Sequence, residues 1–346
     1  MRVLLVAETD PRSGLPRRGA QLRLSSPPEG VSYYLLTGGA YVAPRSYSSM
    51  GLLEALSSAV RQAARLASLA GRGFDLVHSF FIDLTRFAGR WVHESDESPG
   101  QYLEGYLGAE GRAASLIREL LAARLNSDSC AAVITWSKWA AEGFAEDGVD
   151  QAKVRVVPPP IPVRSPRPHG TVNVLFVGRE PVRKGLDLVL EAAARLLGRE
   201  ERVRFYVVSP GATKLLRRLG EAAARRVVAY DRVPEGLLRD ALLPEADVVL
   251  APSRFDAYNL TVLEAMSYGA VPVVSAVGAL PELVGDAGVV LKDPDGQALA
   301  DVVEELAHDE RLRAKLGERA RALVEGRNDP RAVGRELLKV YEEAAT

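Results

Sequence analysis

Cysteine is nearly absent. Cys130 stands alone in a chain of 346 residues, so no internal disulfide and no cysteine-based zinc cluster can form, and nothing in the sequence points to an oxidising compartment. An excess of charge of one sign is missing too: the formal net charge is -1 and the two halves are separately close to neutral. That excludes the basic footprint of a nucleic-acid binder and the acidic tail of a solvating arm. Long apolar runs are lacking as well. The opening MRVLLVAETD holds an apolar core of about five residues ahead of Glu8 and Asp10, too short for a signal h-region, and no later stretch approaches the roughly 20 apolar residues of a membrane span. These absences predict a cytoplasmic location without a transmembrane segment. No repeat of about 20 to 50 residues is present, which argues against a solenoid.

What is present is alternation. Short β-branched runs recur as RVLLVA at Arg2, VSYYLLT at Val31, FDLVHSF at Phe74, RWVHE at Arg90, AAVITWS at Ala131 and KVRVVP at Lys153, with helical patterns at Leu52 to Leu69 and Gln101 to Leu125. The order reads as a parallel sheet covered by helices. Then comes VPPPIPVRSPRPHG, from Val157 to Gly170, whose prolines favour extended chain and read as a linker. Beyond it the pattern restarts with VNVLFVG at Val172, VRFYVVS at Val203, RVVAY at Arg226, ADVVLAPS at Ala246, VPVVSA at Val271 and GVVL at Gly288, separated by helical segments such as Leu186 to Leu197, Leu260 to Tyr268 and Leu299 to Leu306. The expectation is an α/β chain of two doubly wound, Rossmann-like domains, residues 1–160 and 171–328, with a linker over 161–170. A final helix over 329–346 is expected to pack back on the first domain. Ligands of such folds bind at the carboxyl ends of the strands, which predicts a cleft with the two sheets facing across it.

The segment PSRFDAYNLTVLEAMSYGAVPVV, Pro252 to Val274, reads as loop, helix and strand following the buried strand ADVVLAPS. Asn259 is a good N-cap and Gly269 a C-terminal stop. The first helical N–H groups, at Leu260 and Thr261, suit an anion such as phosphate. Glu264, about one turn in, leans back toward that end and can meet sugar hydroxyls, while Asp256 approaches from the preceding loop. Upstream, Arg179 and Lys184 follow a strand ending at Gly178 and would carry two cations to the same place. The DPD at Asp293 to Asp295 matches a metal-binding D-x-D in form only, because Pro294 and Gly296 make it a turn and helix cap; no metal is expected.

These residues carry a resemblance. The acid pair resembles the E-x7-E signature of the retaining glycosyltransferases of family 4, which have the GT-B fold, and the match runs on through SYGAVPVVSAVGALPELV. VLFVGREPVRKGLDLVLEAAARLL and VITWSKWAAEGFAEDGVDQAKVRVVPPPIP are similar to the family's donor-diphosphate segment and to the stretch before its domain linker. The resemblance implies a metal-independent hexosyltransferase without cofactor. Its donor would be a UDP- or GDP-sugar, and its acceptor a glycan, a lipid-linked molecule or a small molecule. Peripheral contact with the cytoplasmic membrane face is compatible with it. By carry-over, Arg179 and Lys184 stabilise the departing diphosphate, Asp256 and His93 orient the sugar, and Glu264 holds the ribose. Gly178, Tyr258, Asn259, Leu260 and Thr261 line the donor, Arg232 and Val233 line the base, Ser137 contributes from the first half, and His78 stands on the acceptor side. Three features depart from the family pattern: Asp256 in place of glutamate, Asn259 in place of glycine, and the N-terminal turn. Between RVLLVA and VSYYLLT there is little room for the family's first helix, and Pro11, Pro16, Pro27 and Pro28 argue against one; Gly14 and Gly19 are expected in a loop facing phosphate or acceptor. The departures keep two other readings open: a non-catalytic GT-B nucleotide-sugar-binding or partner subunit and, behind it, a nucleotide-sugar epimerase.

Overall fold

The structure is a computed structural model that describes residues 1–9, 14–40, 73–80, 87, 89–167, 169–196, 198, 200–216 and 225–346. The helical pattern from Leu52 to Leu69 lies outside the described residues, as does Pro11. The chain divides into two compact units, Met1–Pro160 with Pro330–Thr346, and Ile161–Asp329.

The first unit holds a sheet of β1 (Arg2–Thr9), β2 (Ser32–Ala40), β3 (Leu76–Phe80), β4 (Trp91–Glu94), β5 (Cys130–Thr135) and β6 (Val154–Val156), in the spatial order β2-β1-β3-β4-β5-β6. Every pairing is parallel, with Val3 opposite Leu76, Val77 opposite Trp91 and His93 opposite Val133. Successive side chains feed two separate cores. Leu4, Val77, Trp91 and Val133 pack on one face with Leu125 and Phe144, while Val3, Leu76, Val92 and Ile134 pack on the other. Covering both faces is what makes these strands near-continuous apolar runs rather than alternating ones.

Helix α1 (Arg18–Ser25) corrects the expectation that this stretch is helix-free. Pro16 precedes its first turn and Pro27 follows its last, so the prolines flank the helix instead of interrupting it. Gly19 belongs to that helix, where a Cβ would strike the Trp136 ring, so it serves packing and not a ligand-facing loop. The pattern over Gln101 to Leu125 is two helices, α2 (Pro99–Leu107) and α3 (Arg112–Leu125), because Gly108 closes α2 in the left-handed conformation. Helix α4 (Lys138–Glu146) follows β5.

The second unit holds β7 (Val172–Val177), β8 (Val203–Val208), β9 (Val227–Tyr230), β10 (Val248–Ala251), β11 (Val271–Ser275) and β12 (Val289–Leu291), all parallel, in the order β12-β11-β10-β7-β8-β9. Its helices include α5 (Leu186–Leu196), α6 (Ala212–Leu216), the single turn α7 (Glu235–Leu237), α8 (Leu260–Ser267), α9 (Leu280–Val284), α10 (Gly296–His308) and α11 (Glu310–Asn328). Val174, Phe176, Val248 and Val273 of the sheet pack against Val189 and Ala193 of α5 and Leu299 and Val303 of α10.

Helix α12 (Pro330–Ala345) belongs to the first unit. Val333, Leu337, Val340, Tyr341 and Ala344 recur at helical spacing and are buried against Val3, Leu76, Val92 and Ile134. Burying side chains such as Leu337 and Val340 stabilises the docking by about 1.5–3 kcal/mol each. Among the described residues, no helix is long and apolar enough to cross a membrane.

Candidate active site at the ends of strands β7 and β10

The second sheet is built outward from β7, with β8 and β9 on one side and β10 to β12 on the other. The loops leaving the neighbouring ends of β7 and β10 therefore diverge at the switch point of the sheet, where open α/β folds bind ligands. Close approach of these loops requires glycine. Gly185, at φ +76°, lies so near Pro252 that a Cβ would collide with its carbonyl, and Gly278, at φ +54°, in the loop after β11, stands equally close to the carbonyl of Asp256. Ser275 Oγ donates to the Ser253 carbonyl at 2.5 Å, which ties the end of β11 to the same loop.

Asp256 is the hub. It is 2% exposed, and its Oδ2 accepts three hydrogen bonds: from Lys184 Nζ at 2.6 Å, from Ser253 Oγ at 3.0 Å and from Asn259 Nδ2 at 2.9 Å. Among the described residues no donor reaches Oδ1. Burial disfavours the carboxylate, but the positive charges of Lys184 and Arg183 outweigh it and hold Asp256 below the usual aspartate range. For Lys184 burial wins over the pull of Asp256, and its ammonium sits below the usual lysine range.

Asn259 has two tasks. Its amide nitrogen fixes Asp256 while its oxygen caps α8 by accepting from Val262 N at 3.2 Å. This is a physical reason for asparagine here: glycine could end the preceding loop but could hold neither partner. Leu260 and Thr261, half-buried, open the helix, and Glu264 lies one turn in at 8% exposure. Gly178 donates from its N–H to the Val208 carbonyl, accepts from Ser209 Oγ at 2.7 Å, and has no room for a Cβ between Phe176 and Lys184. Arg179 is exposed and Tyr258 half-buried on the two loops. The structure thus brings Lys184 and Asn259 to the Asp256 carboxylate, with Gly178 packed against Lys184 and with Leu260, Thr261 and Glu264 on the adjoining helix.

The other expected residues stand on other elements. Arg232, exposed, and Val233, half-buried, follow β9 at the edge of the sheet, two strands away from β7. Ser137, in the first unit, is 1% exposed, and its hydroxyl oxygen caps α4 by accepting from Ala140 N at 3.1 Å. His93 is 2% exposed in β4, with Trp91 and Phe144 edge-on to its ring and Nδ1 without a hydrogen-bond partner. Burial pushes its pKa down to about 3, so the ring is neutral. His78, expected on the acceptor side, is wholly buried: Nδ1 lies 2.6 Å from the Tyr341 hydroxyl and Nε2 2.9 Å from Glu94 Oε2. Asp295 of the DPD turn caps α10 by accepting from Ala298 N. No group of three His, Cys, Asp or Glu among the described residues is placed to hold a metal ion.

Sequence reasoning missed Ser253, Gly278, Glu180 and Arg183. Ser253 and Gly278 are 25 residues apart in the sequence, and that both approach Asp256 depends on the packing of three loops.

Comparison with known proteins bears on the fold. Nearly the whole chain superposes on solved structures: sucrose-phosphate synthase from Thermosynechococcus elongatus (TM-score 0.71, 17% identity, 99% of this chain and 98% of that one) and Anabaena HepE in complex with UDP and glucose (TM-score 0.68, 15% identity, 99% of each). The fold is GT-B. Within this GT-B chain, residues 171–309 match the family model described as "Glycosyl transferases group 1". That stretch carries both loops of the candidate site. Among curated proteins, D-inositol 3-phosphate glycosyltransferase of Corynebacterium aurimucosum is 34% identical over 168 residues, 44% of this chain and 39% of the relative. Alpha-D-kanosaminyltransferase of Streptomyces kanamyceticus is 29% identical over 174 residues, 49% and 45% of the two chains. The chain thus matches less than half the length of these curated relatives.

Proposed function

We propose that the chain is a retaining, metal-independent glycosyltransferase of family 4 that moves a sugar from a UDP- or GDP-sugar to a glycan, lipid-linked or small-molecule acceptor. The observation that carries this reading is the Asp256 carboxylate: one oxygen is saturated by Lys184, Ser253 and Asn259 and no donor among the described residues reaches the other, at a sheet switch point beside a helix N-terminus. Lys184 and Arg179, with the N–H groups of Leu260 and Thr261, would meet the diphosphate and stabilise it as it leaves. Glu264 would accept from the ribose hydroxyls. Asp256 Oδ1 would accept from a hydroxyl of the transferred sugar, and the departing diphosphate would take the acceptor proton on the same face. The acceptor is assigned to the first unit, and the cytoplasm, with peripheral membrane contact, is the proposed setting.

The test is calorimetric titration with a panel of UDP-, GDP- and ADP-sugars, repeated on Glu264→Ala. Saturable binding of one donor, weakened at least about tenfold in the variant, is the expected result. A folded protein that binds no member of the panel sinks the reading; donor binding without transfer to any acceptor favours a non-catalytic subunit.

A further inference from the structure

The two loops of the site are joined by a side chain that no part of the proposed chemistry uses. Arg183 is 5% exposed, unusual for a guanidinium, which is buried only where partners are arranged for it. Its Nε and Nη2 donate to Glu180 Oε2 and Oε1, both at 2.9 Å, and its Nη1 donates to the Phe255 carbonyl at 2.7 Å. The backbone adds a fourth link, since the Arg183 carbonyl accepts from Arg254 N at 2.7 Å. Each partner adjoins a residue of the candidate site: Glu180 follows Arg179, Arg183 precedes Lys184, and Phe255 precedes Asp256.

We infer that Arg183 is a positioning residue, a brace whose planar fork sets the spacing between Lys184 and Asp256 and, through Glu180, steers the loop that carries Arg179. What those three groups hold rests on the nucleotide-sugar reading; the brace itself does not. Only arginine fits the role, because a guanidinium presents its donors in fixed in-plane directions, toward Glu180 on one edge and Phe255 on another, whereas a lysine ammonium is a single point on a flexible stem. The geometry also says what a loss would do. Without the fork, the loop after β10 keeps its glycine contacts, its backbone bond to residue 183 and the surface links of Arg254, but loses the buried guanidinium that ties Phe255 to Glu180, and the 2.6 Å pair of Lys184 and Asp256 loses that inner support.

The experiment compares wild type, Arg183→Gln, Arg183→Lys and Glu180→Gln by crystal structure, thermal melting and calorimetric titration with UDP-glucose, GDP-mannose and ADP-glucose. In Arg183→Gln the Lys184–Asp256 pair should open beyond hydrogen-bond reach, and the affinity for whichever probe wild type takes should fall about tenfold or more, as expected when site groups shift by about an ångström. Arg183→Lys, which keeps the charge and loses the fork, should recover only part of that loss. Should Arg183→Gln fail to fold, Glu180→Gln removes one arm of the brace and is read the same way, with a displaced pair and a loss of a few-fold. A folded variant that keeps the pair intact and binds the probe as wild type does overturns the proposal, whatever its melting temperature. If wild type takes none of the three probes, the nucleotide-sugar reading fails, while the crystal structures still decide the brace.

Discussion

Glu94 in the first unit and Asp256 in the second are both buried carboxylates, 0% and 2% exposed, and each faces a cation. Glu94 Oε1 accepts from Arg23 Nη2 at 3.0 Å and from Trp136 Nε1 at 2.5 Å, Arg23 Nε is 3.2 Å from both oxygens, and Oε2 lies 2.9 Å from His78 Nε2. The rest of the Arg23 guanidinium donates to the carbonyls of Val157 and Pro158, and His78 continues through Tyr341 to Tyr33. That network joins α1, the strands β2, β3 and β4, the residue that follows β5, the start of the linker and α12, and both carboxylate oxygens are occupied. Among the described residues, donors reach one oxygen of Asp256 and not the other. The lesson is that burial and a cationic partner do not by themselves mark a site; what separates the two carboxylates is the unfilled capacity of Asp256 to accept hydrogen bonds at a strand's carboxyl end.

The comparison is broken most sharply by Arg23→Met, which strands the Glu94 charge in the core. It should cost about 3–5 kcal/mol by urea unfolding, as loss of one partner of a buried pair does, without a direct effect on donor binding in whatever protein remains folded. A variant that keeps its stability would mean that Glu94 is not held as a charge.

Acid should find the same network. Arg23 and His78 overcome the cost of burial and bring Glu94 from 4.5 to about 2, so its contribution is full above pH 4.5 and is lost as pH falls toward 2, roughly 3 kcal/mol in all. Burial lowers His93 from 6.5 to about 3 and lowers His78 as well, so the unfolded chain takes up protons first and stability already declines below pH 6.5. Urea midpoints measured from pH 8 to pH 3 should show this decline, and His93→Phe should flatten it between pH 6.5 and 4.5. An unchanged slope there would assign the effect elsewhere.

Asp256→Asn should separate function from stability. The shape is kept, and Lys184 retains 15% exposure, so the loss of stability is expected at about 1–3 kcal/mol, below that of Arg23→Met. Donor affinity should drop at least about tenfold in calorimetry. Unaltered affinity would place Asp256 beside Glu94 as a structural carboxylate.

The smallest effect belongs to Arg254→Ala. Its side chain pairs with Asp187 at the surface, 46% and 58% exposed, while its backbone N–H, which the substitution leaves in place, holds Arg183. Its side chain also reaches the Val182 carbonyl from the surface. A change below about 1 kcal/mol in stability is expected; a larger one would show that the loop depends on this outer pair as well as on Arg183.

The two parallel sheets and the cap at Asn259 were legible in the sequence, because each follows from local periodicity or capping chemistry, whereas the ion pair of Lys184 with Asp256 was not, because it spans 72 residues of chain. Helix α1 was not, since prolines near a segment weigh against a helix until their positions relative to its turns are known. The break between α2 and α3 was missed for a related reason: the apolar period continues across Gly108, and only the backbone conformation there ends the helix. The role of Arg183 was hidden entirely. Its sequence neighbourhood says that it is basic and follows a strand, as Arg179 is and does; which of the two is exposed and which is buried against Phe255 is settled by a contact 72 residues away in the chain. The sequence by itself determined which residues alternate, cap and carry charge, because those properties act over a few bonds. Tertiary structure alone decided which buried carboxylate is closed and which is open, because that depends on how many donors arrive from strands and loops far apart in the chain.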